Sequence, residues 1–303
     1  MSSEARFDRL AALPLRSFTP HKQGLGSFRR QLREIADHRQ LLWLLTRRDL
    51  QVRYRGSVLG FLWTLIKPLI LLAVYYVILG QVLGAARGIE NFGIYVFSGL
   101  TIYMLFSESL GASTGSIVAN GGLVKKIYLP REIFPLAAVG GASFMFLMQL
   151  AVLIGAVVVF QQWPEPTGLL YFLPSVALIL IYVVGIGLLL SALNVYLRDV
   201  QYITEILLTL MMWGSPIVYS WQMVKEVMVR FDIPSWLLEV YTNNPLTLAV
   251  LGFHRALWSG GTPADYPEDL ALRMGIAGVV GLVFLLIAHW SFQRMQGNLA
   301  QEL

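Results

Sequence analysis

The chain has 303 residues, a formal charge of +5 and a mean hydropathy of +0.63; 56% of its residues are hydrophobic and only 14% are charged. Soluble domains carry about a quarter charged residues, so this composition excludes a water-facing globular protein and points to a polytopic membrane protein. There is no cysteine, which excludes a disulfide framework and any Cys-based metal or redox site. The basic residues gather at one end and in one short loop, a placement that suits an anionic membrane face better than nucleic acid.

Residues 1–40 hold Arg6, Arg9, Arg16, Lys22, Arg29, Arg30, Arg33 and Arg39 among Pro14, Pro20, Gly24 and Gly26. They read as a basic, irregular cytoplasmic tail with a short helix capped by Ser27. The stretch is too charged, and too long before its first apolar run, for a cleavable signal peptide. Residues 41–56 follow as an interfacial helix that is amphipathic end to end. Leu41, Leu42, Trp43, Leu44 and Leu45 come first, and Arg47, Arg48, Arg53 and Arg55 after them. An aromatic ring beside cations suits the head-group region. Gly56 and Gly60 are expected to turn the chain into its first span.

A helix needs about 20 apolar residues to cross a bilayer. Six windows qualify: Phe61–Leu83, Phe92–Val118, Phe134–Phe160, Tyr171–Val195, Ile203–Tyr219 and Leu272–Phe292. The fifth is short. Between it and the sixth, residues 220–273 are moderately apolar but broken by Pro234, Pro245, Gly260, Gly261, Pro263 and Pro267. Short helices that rest in or dip into the interface are expected there. With the N-terminus inside, 18 of the 23 Lys and Arg residues fall on the inner side. The expectation is therefore an all-α protein with six transmembrane helices, N-in and C-in. Residues 57–295 form the membrane domain, and 296–303 a cytoplasmic tail.

No G-x-x-x-x-G-K-[ST], H-E-x-x-H or G-x-S-x-G motif is present, and the four histidines are scattered. The acids are dispersed too, so a membrane enzyme of lipid-linked sugar metabolism has little support. Four features carry more. The loop 120–135, NGGLVKKIYLPREIFP, places Lys125, Lys126, Tyr128, Leu129 and Arg131 between a Gly pair and two prolines. It reads either as a short helix that docks in a partner's groove or as an ordinary positive-inside loop. In NVYLRDV, Arg198 and Asp199 sit at the inner membrane edge, as an anchor or a helix cap. Glu108 lies mid-span among Ser107, Ser109, Ser113 and Thr114. An acid at that depth faces protein or water, so the span either packs tightly through small residues or lines an aqueous path. Tyr103, Phe106 and Trp213 belong to an interface belt or to a stacking surface for sugar rings.

Four segments, in this order and between these spans, carry a resemblance. They are RRDLQVRYRGSVLGFLWTLIKPL, GGLVKKIYLPREIFPLA, NVYLRDV and NPLTLAVLGFHRAL. The chain resembles the membrane subunit of ABC-2 (type V) exporters for cell-surface polysaccharides such as O-antigen, teichoic acid, capsule and galactan. The resemblance implies a permease without its own ATPase, binding no cofactor, with ATP and Mg on a separate subunit. It implies a bacterial plasma-membrane complex of two permeases and two ATPases that moves a polyprenyl-pyrophosphate-linked glycan. By the same resemblance, Arg47, Arg48, Arg53, Tyr54 and Arg55 meet the lipid pyrophosphate. Leu123, Lys125, Lys126, Tyr128, Leu129, Pro130 and Arg131 couple to the ATPase. Tyr103, Phe106, Ser107, Glu108, Met212 and Trp213 line the channel, and residues 220–258 form outer gate helices. An ABC-2 exporter of a smaller lipid or drug shares the architecture and is the alternative.

Overall fold

The computed structural model describes residues 37–303 other than 55, 57–58, 83, 85–87, 127–128 and 298, with the backbone alone of 53, 54, 61, 79, 300 and 301. The tail helix expected from Ser27 lies outside the described residues. The chain divides into two units, residues 1–39 and 40–303. Of the first, Asp37, His38 and Arg39 are described.

Among the described residues every regular element is a helix. Helix α1 (Arg39–Tyr54) covers most of the segment read as interfacial. Gly56 and Gly60 follow it with φ of 77° and 42°, a left-handed backbone that residues with a Cβ rarely adopt. They turn the chain into a short 3-10 segment (Gly60–Leu62), helix α2 (Trp63–Val74) and a π-helical turn (Tyr75–Val82). Then come α3 (Phe92–Ala119), α4 (Gly121–Lys126), α5 (Ile133–Val159) and α6 (Phe172–Tyr196).

Helix α3 is the centre of the fold. Of its most apolar stretch 78% is buried, against 12% for the first span. It packs against α5, α6, the later helices α7 and α10, and the turn after α2. A span so rich in Ser and Thr is tolerated because those hydroxyls donate to carbonyls of their own helix. Ser98 bonds Tyr95 O (2.8 Å), Thr101 bonds Phe97 O (2.7 Å) and Thr114 bonds Leu110 O (2.8 Å). At the end of α3 the Asn120 amide donates to Ser116 O (2.8 Å), covering one carbonyl that the helix leaves unpaired. Gly121 and Gly122 then open α4, because Asn120 has already capped α3.

Among the described residues five helical stretches are long and apolar enough to cross a membrane, where the sequence predicts six. The difference is the window 203–219. It forms α7 (Asp199–Trp213), about 22 Å at 1.5 Å per residue, shorter than a hydrocarbon core of roughly 30 Å. Gly214 caps its end, and Pro216 cannot continue a helix. The segment 220–273 is the expected set of short helices: α8 (Trp221–Arg230), α9 (Ser235–Thr242) and α10 (Pro245–Leu257). The first two pair as a hairpin.

Helix α10, unlike the hairpin, is enclosed by protein. Its residues Leu246 to His254 are buried without a break. It is held by α3, α6, α11 and the turn Gly168–Tyr171. Its start is well specified: Asn244 Oδ1 accepts from the Leu246 N–H (3.0 Å), and Pro245 sits where a missing N–H costs nothing. Helix α11 (Leu270–Met295) is the last span, and α12 (Leu299–Glu302) ends the chain's regular structure. Arg273 at the start of α11 ties down the hairpin by bonding Glu239 Oε2 (2.6 Å) and Asn243 Oδ1 (3.1 Å). That guanidinium holds the Glu239 carboxyl below the usual carboxylate range.

Two apolar clusters result. The larger surrounds α3 and α10. The smaller gathers Leu45 of α1, Val124 of α4, Phe134 of α5, Ala192 of α6, Phe292 of α11 and Leu299 of α12.

Candidate functional site

The smaller cluster organises the end of the molecule where α1 and α4 lie. Helix α1 exposes most of its residues, but Leu45 and Thr46 are buried. Thr46 Oγ1 donates to Ala137 O of α5 (3.2 Å). The close approach is possible because α5 carries Gly140 there: a Cβ at that position would lie 3.0 Å from Thr46 Oγ1. Gly140→Leu is therefore expected to lift α1 off α5. Protease accessibility of the α1–α2 turn should rise, and Gly141→Ala, where a Cβ meets nothing within 4 Å, serves as the control that leaves it unchanged.

The predicted pyrophosphate ligands divide. Arg47 is exposed on α1. Arg48 is engaged within the chain. Its Nη2 bonds Asn120 Oδ1 (2.7 Å) and Asp49 Oδ1 (2.7 Å), and its Nε bonds Asp49 Oδ1 (3.0 Å). Arg48, Asp49 and Val52 of α1 face Ala119 and Asn120 across an open groove of about 520 Å³. Arg48 thus links the interfacial helix to the residue just before α4. Arg55 lies outside the described residues, as do the side chains of Arg53 and Tyr54.

The predicted coupling residues also divide. Helix α4 presents Lys125 and Lys126 outward while Leu123 packs on the small cluster and Val124 is buried in it. Leu129, Pro130 and Arg131 are half-buried in the segment that follows, rather than on the short helix itself. Tyr128 lies outside the described residues. A six-residue helix with a buried inner side and two outward lysines can present a basic knob to another surface. Arg198 and Asp199 are both exposed, with Asp199 in the first turn of α7, where a negative charge is favoured by the helix dipole.

The residues read as channel lining lie on α3 and α7. Tyr103 is buried and donates to Leu208 O (2.7 Å), fastening α3 to α7. Phe106 is buried in the larger cluster. Ser107 and Glu108 are half-buried. Met212 packs against the larger cluster, whereas Trp213 is exposed. Only Thr204 of α7 is buried, and Tyr202, Ile206, Leu210 and Trp213 form an exposed apolar stripe at helical spacing.

Sequence reasoning missed three contacts here: Thr46 on Gly140, Arg48 on Asn120, and Glu132 on Gln293. The Gly140–Gly141 pair and an acid inside an apolar loop were the signals available for the first and third.

The family profile of the ABC-2 type transporter matches residues 40–258. The chain is 33% identical over 275 residues to the O-antigen export system permease protein RfbA of Myxococcus xanthus, covering 90% of this chain and 99% of that protein. It is 31% identical over 243 residues to the protein of the same name from Klebsiella pneumoniae, covering 80% of this chain and 89% of that one. A more distant similarity, 26% over 165 residues, links it to the polysialic acid transport protein KpsM of Escherichia coli, covering 53% and 62%. With its all-helical fold of long apolar spans, this chain belongs to the ABC-2 type transporter family, as a multi-pass membrane protein.

Proposed function

We propose that this chain is the permease subunit of an ATP-driven exporter that moves a polyprenyl-pyrophosphate-linked polysaccharide across the bacterial plasma membrane. The observation that carries the reading is similarity along 90% of the chain to a permease named for O-antigen export. The α1 region supports it. An exposed arginine beside an open groove at a helix that skirts the membrane suits a lipid pyrophosphate, whose oxygens match a guanidinium fork.

In this reading two copies of the chain pair, with two copies of a separate ABC ATPase that holds ATP and Mg. The apolar stripe of α7 and the exposed Leu69, Ile70 and Val77 of the first span supply apolar surface for the facing copy. Ser107 and Glu108 then border the path between them. Closure of the ATPases on ATP pushes α4, and the spans respond because the docked loop has different contacts in the two states. The hairpin α8–α9 and α10 gate the outer side.

The test is purification with the ATPase encoded for the same complex, followed by depletion in cells. ATP hydrolysis should appear only with the second subunit, and depleted cells should accumulate lipid-linked glycan on the inner leaflet. Unchanged glycan export in depleted cells would overturn the reading, and a lost efflux of a small lipid would favour the smaller-cargo alternative.

A further inference from the structure

The last eleven residues make contacts that no role in a plain tail requires. Gln293 and Gln296 lie one turn apart on the end of α11, so they share a face. The Gln293 amide donates to a carboxylate oxygen of Glu132, and Gln296 donates to Gln293 Oε1. Glu132, 3% exposed, is the residue on which α5 begins, at the end of the loop that holds α4. At the other end of that loop, Leu303 packs on Gly121: a Cβ on Gly121 would sit 3.6 Å from Leu303 Cδ2 and 4.0 Å from its Cβ. Between them Leu299 of α12 is fully buried in the small cluster. Tyr196 of α6 donates to Met295 O (2.8 Å) and fixes the turn from α11 into α12. The loop is therefore gripped near both its ends by one segment of chain, far away in sequence.

We propose that Gln293, Gln296, Leu299 and Leu303 form a brace that makes the α4 loop and α11 move as one body, so that a push on α4 reaches the last span. Besides this brace, α4 is joined to the spans by its covalent neighbours and by Leu123 and Val124 in the small cluster. Packed side chains and hydrogen bonds between two elements carry displacement from one to the other, and the brace adds such a link between the loop and the end of α11. Gln293 and Leu299 are positioning residues in this account. They touch neither cargo nor nucleotide. The proposal rests on the reading of α4 as the element that docks on the ATPase.

The experiment uses the full permease–ATPase complex in proteoliposomes and reads glycan export and ATP hydrolysis in the same preparation. Leu299→Asp and Gln293→Leu should leave the complex assembled and hydrolysis within about twofold of the parent. Export per ATP should fall at least tenfold, with Leu299→Ile restoring it. An unchanged ratio of export to hydrolysis in both variants would overturn the proposal, and so would a fall of both together with loss of assembled complex.

The absence of native cysteine allows a second, independent measurement. Gly121→Cys with Leu303→Cys places two Cβ atoms at a separation suited to a disulfide. Oxidation of the resting complex should cross-link them and preserve export, because the pair moves together. Failure to cross-link, or export abolished by the cross-link, would sink the brace. Lys125→Glu with Lys126→Glu tests the underlying reading separately. Weakened recovery of the ATPase with the permease supports docking on α4. Full recovery removes that reading, while the cross-link still reports whether the brace exists.

Discussion

The double variant Arg47→Glu and Arg53→Glu is expected to lower glycan export by roughly ten- to a hundredfold at limiting cargo, while insertion and ATPase recruitment stay near normal. A hydrogen bond to a charged group contributes about 1.5–3 kcal/mol, and one such contact is worth a factor of about ten or more in binding. Arg47 is the side chain on α1 whose exposure leaves it available. Arg53 lies farther along the same helix. Neither replacement touches Leu45 or Thr46, which seat α1 on the body of the protein.

The measurement is export of a lipid-linked glycan into inside-out vesicles, with the amount of membrane-inserted permease determined in parallel. Equal loss of export and insertion would return α1 to a plain membrane anchor. Arg48→Glu should behave differently. It places a carboxylate beside Asp49 and removes the bond to Asn120, so the geometry at α4 is disturbed along with any contact to cargo.

Gly168→Ala should be the most destabilising single methyl in the chain's outer half. The Cβ it adds would lie 2.2 Å from the Arg255 carbonyl oxygen, and that oxygen belongs to the backbone of buried α10 rather than to a flexible side chain. The turn Gly168–Tyr171 cannot retreat easily. Arg255 lies over the rings of both Tyr171 (5.3 Å) and Tyr266 (5.1 Å), fastening the turn to the end of α10. Overpacking of this kind costs about 1–3 kcal/mol or more. Thermal denaturation of the detergent-purified protein should show a clear drop in midpoint. Gly122→Ala, where the added Cβ meets nothing within 4 Å, should leave the midpoint unchanged or slightly raised, because alanine is the better helix former. Equal midpoints for both variants would mean that α10 is not held where it is seen.

Much of the fold was legible because the bilayer imposes simple rules on sequence. A span has to be long and apolar, and a chain with this little charge has to supply several. Five of the six windows are helices of crossing length, within a few residues of their expected limits. Gly56 and Gly60 marked the turn into the first span, and a left-handed backbone is what makes glycine necessary there. The window 203–219 runs past the end of its helix, which stops at Trp213, because hydropathy continues past Gly214 and Pro216 whereas helical hydrogen bonding does not.

The enclosure of helix α10 was not legible for a related reason. At 13 residues it is too short to span, and composition cannot distinguish a short apolar helix at an interface from one enclosed by other helices. Packing decided it. Gly99 lets the His254 side chain of α10 approach α3, with the His254 ring stacked 4.0 Å from that of Tyr95.

The candidate site was legible as a list of residues and not as an arrangement. Charge placement singled out α1 and the 120–135 loop, since cations cluster where a chain meets an anionic surface. It could not show that Arg48 bonds Asn120, or that Glu132 is held by Gln293, because these partners are 72 and 161 residues apart in sequence. By itself the sequence determined the class, the spans and the elements that carry positive charge, all of which follow from local composition and period. Only the tertiary structure decided which cations pair with other side chains of the chain and what grips the α4 loop. Hydrogen bonds and close packing between distant segments have no local signature until the chain is folded.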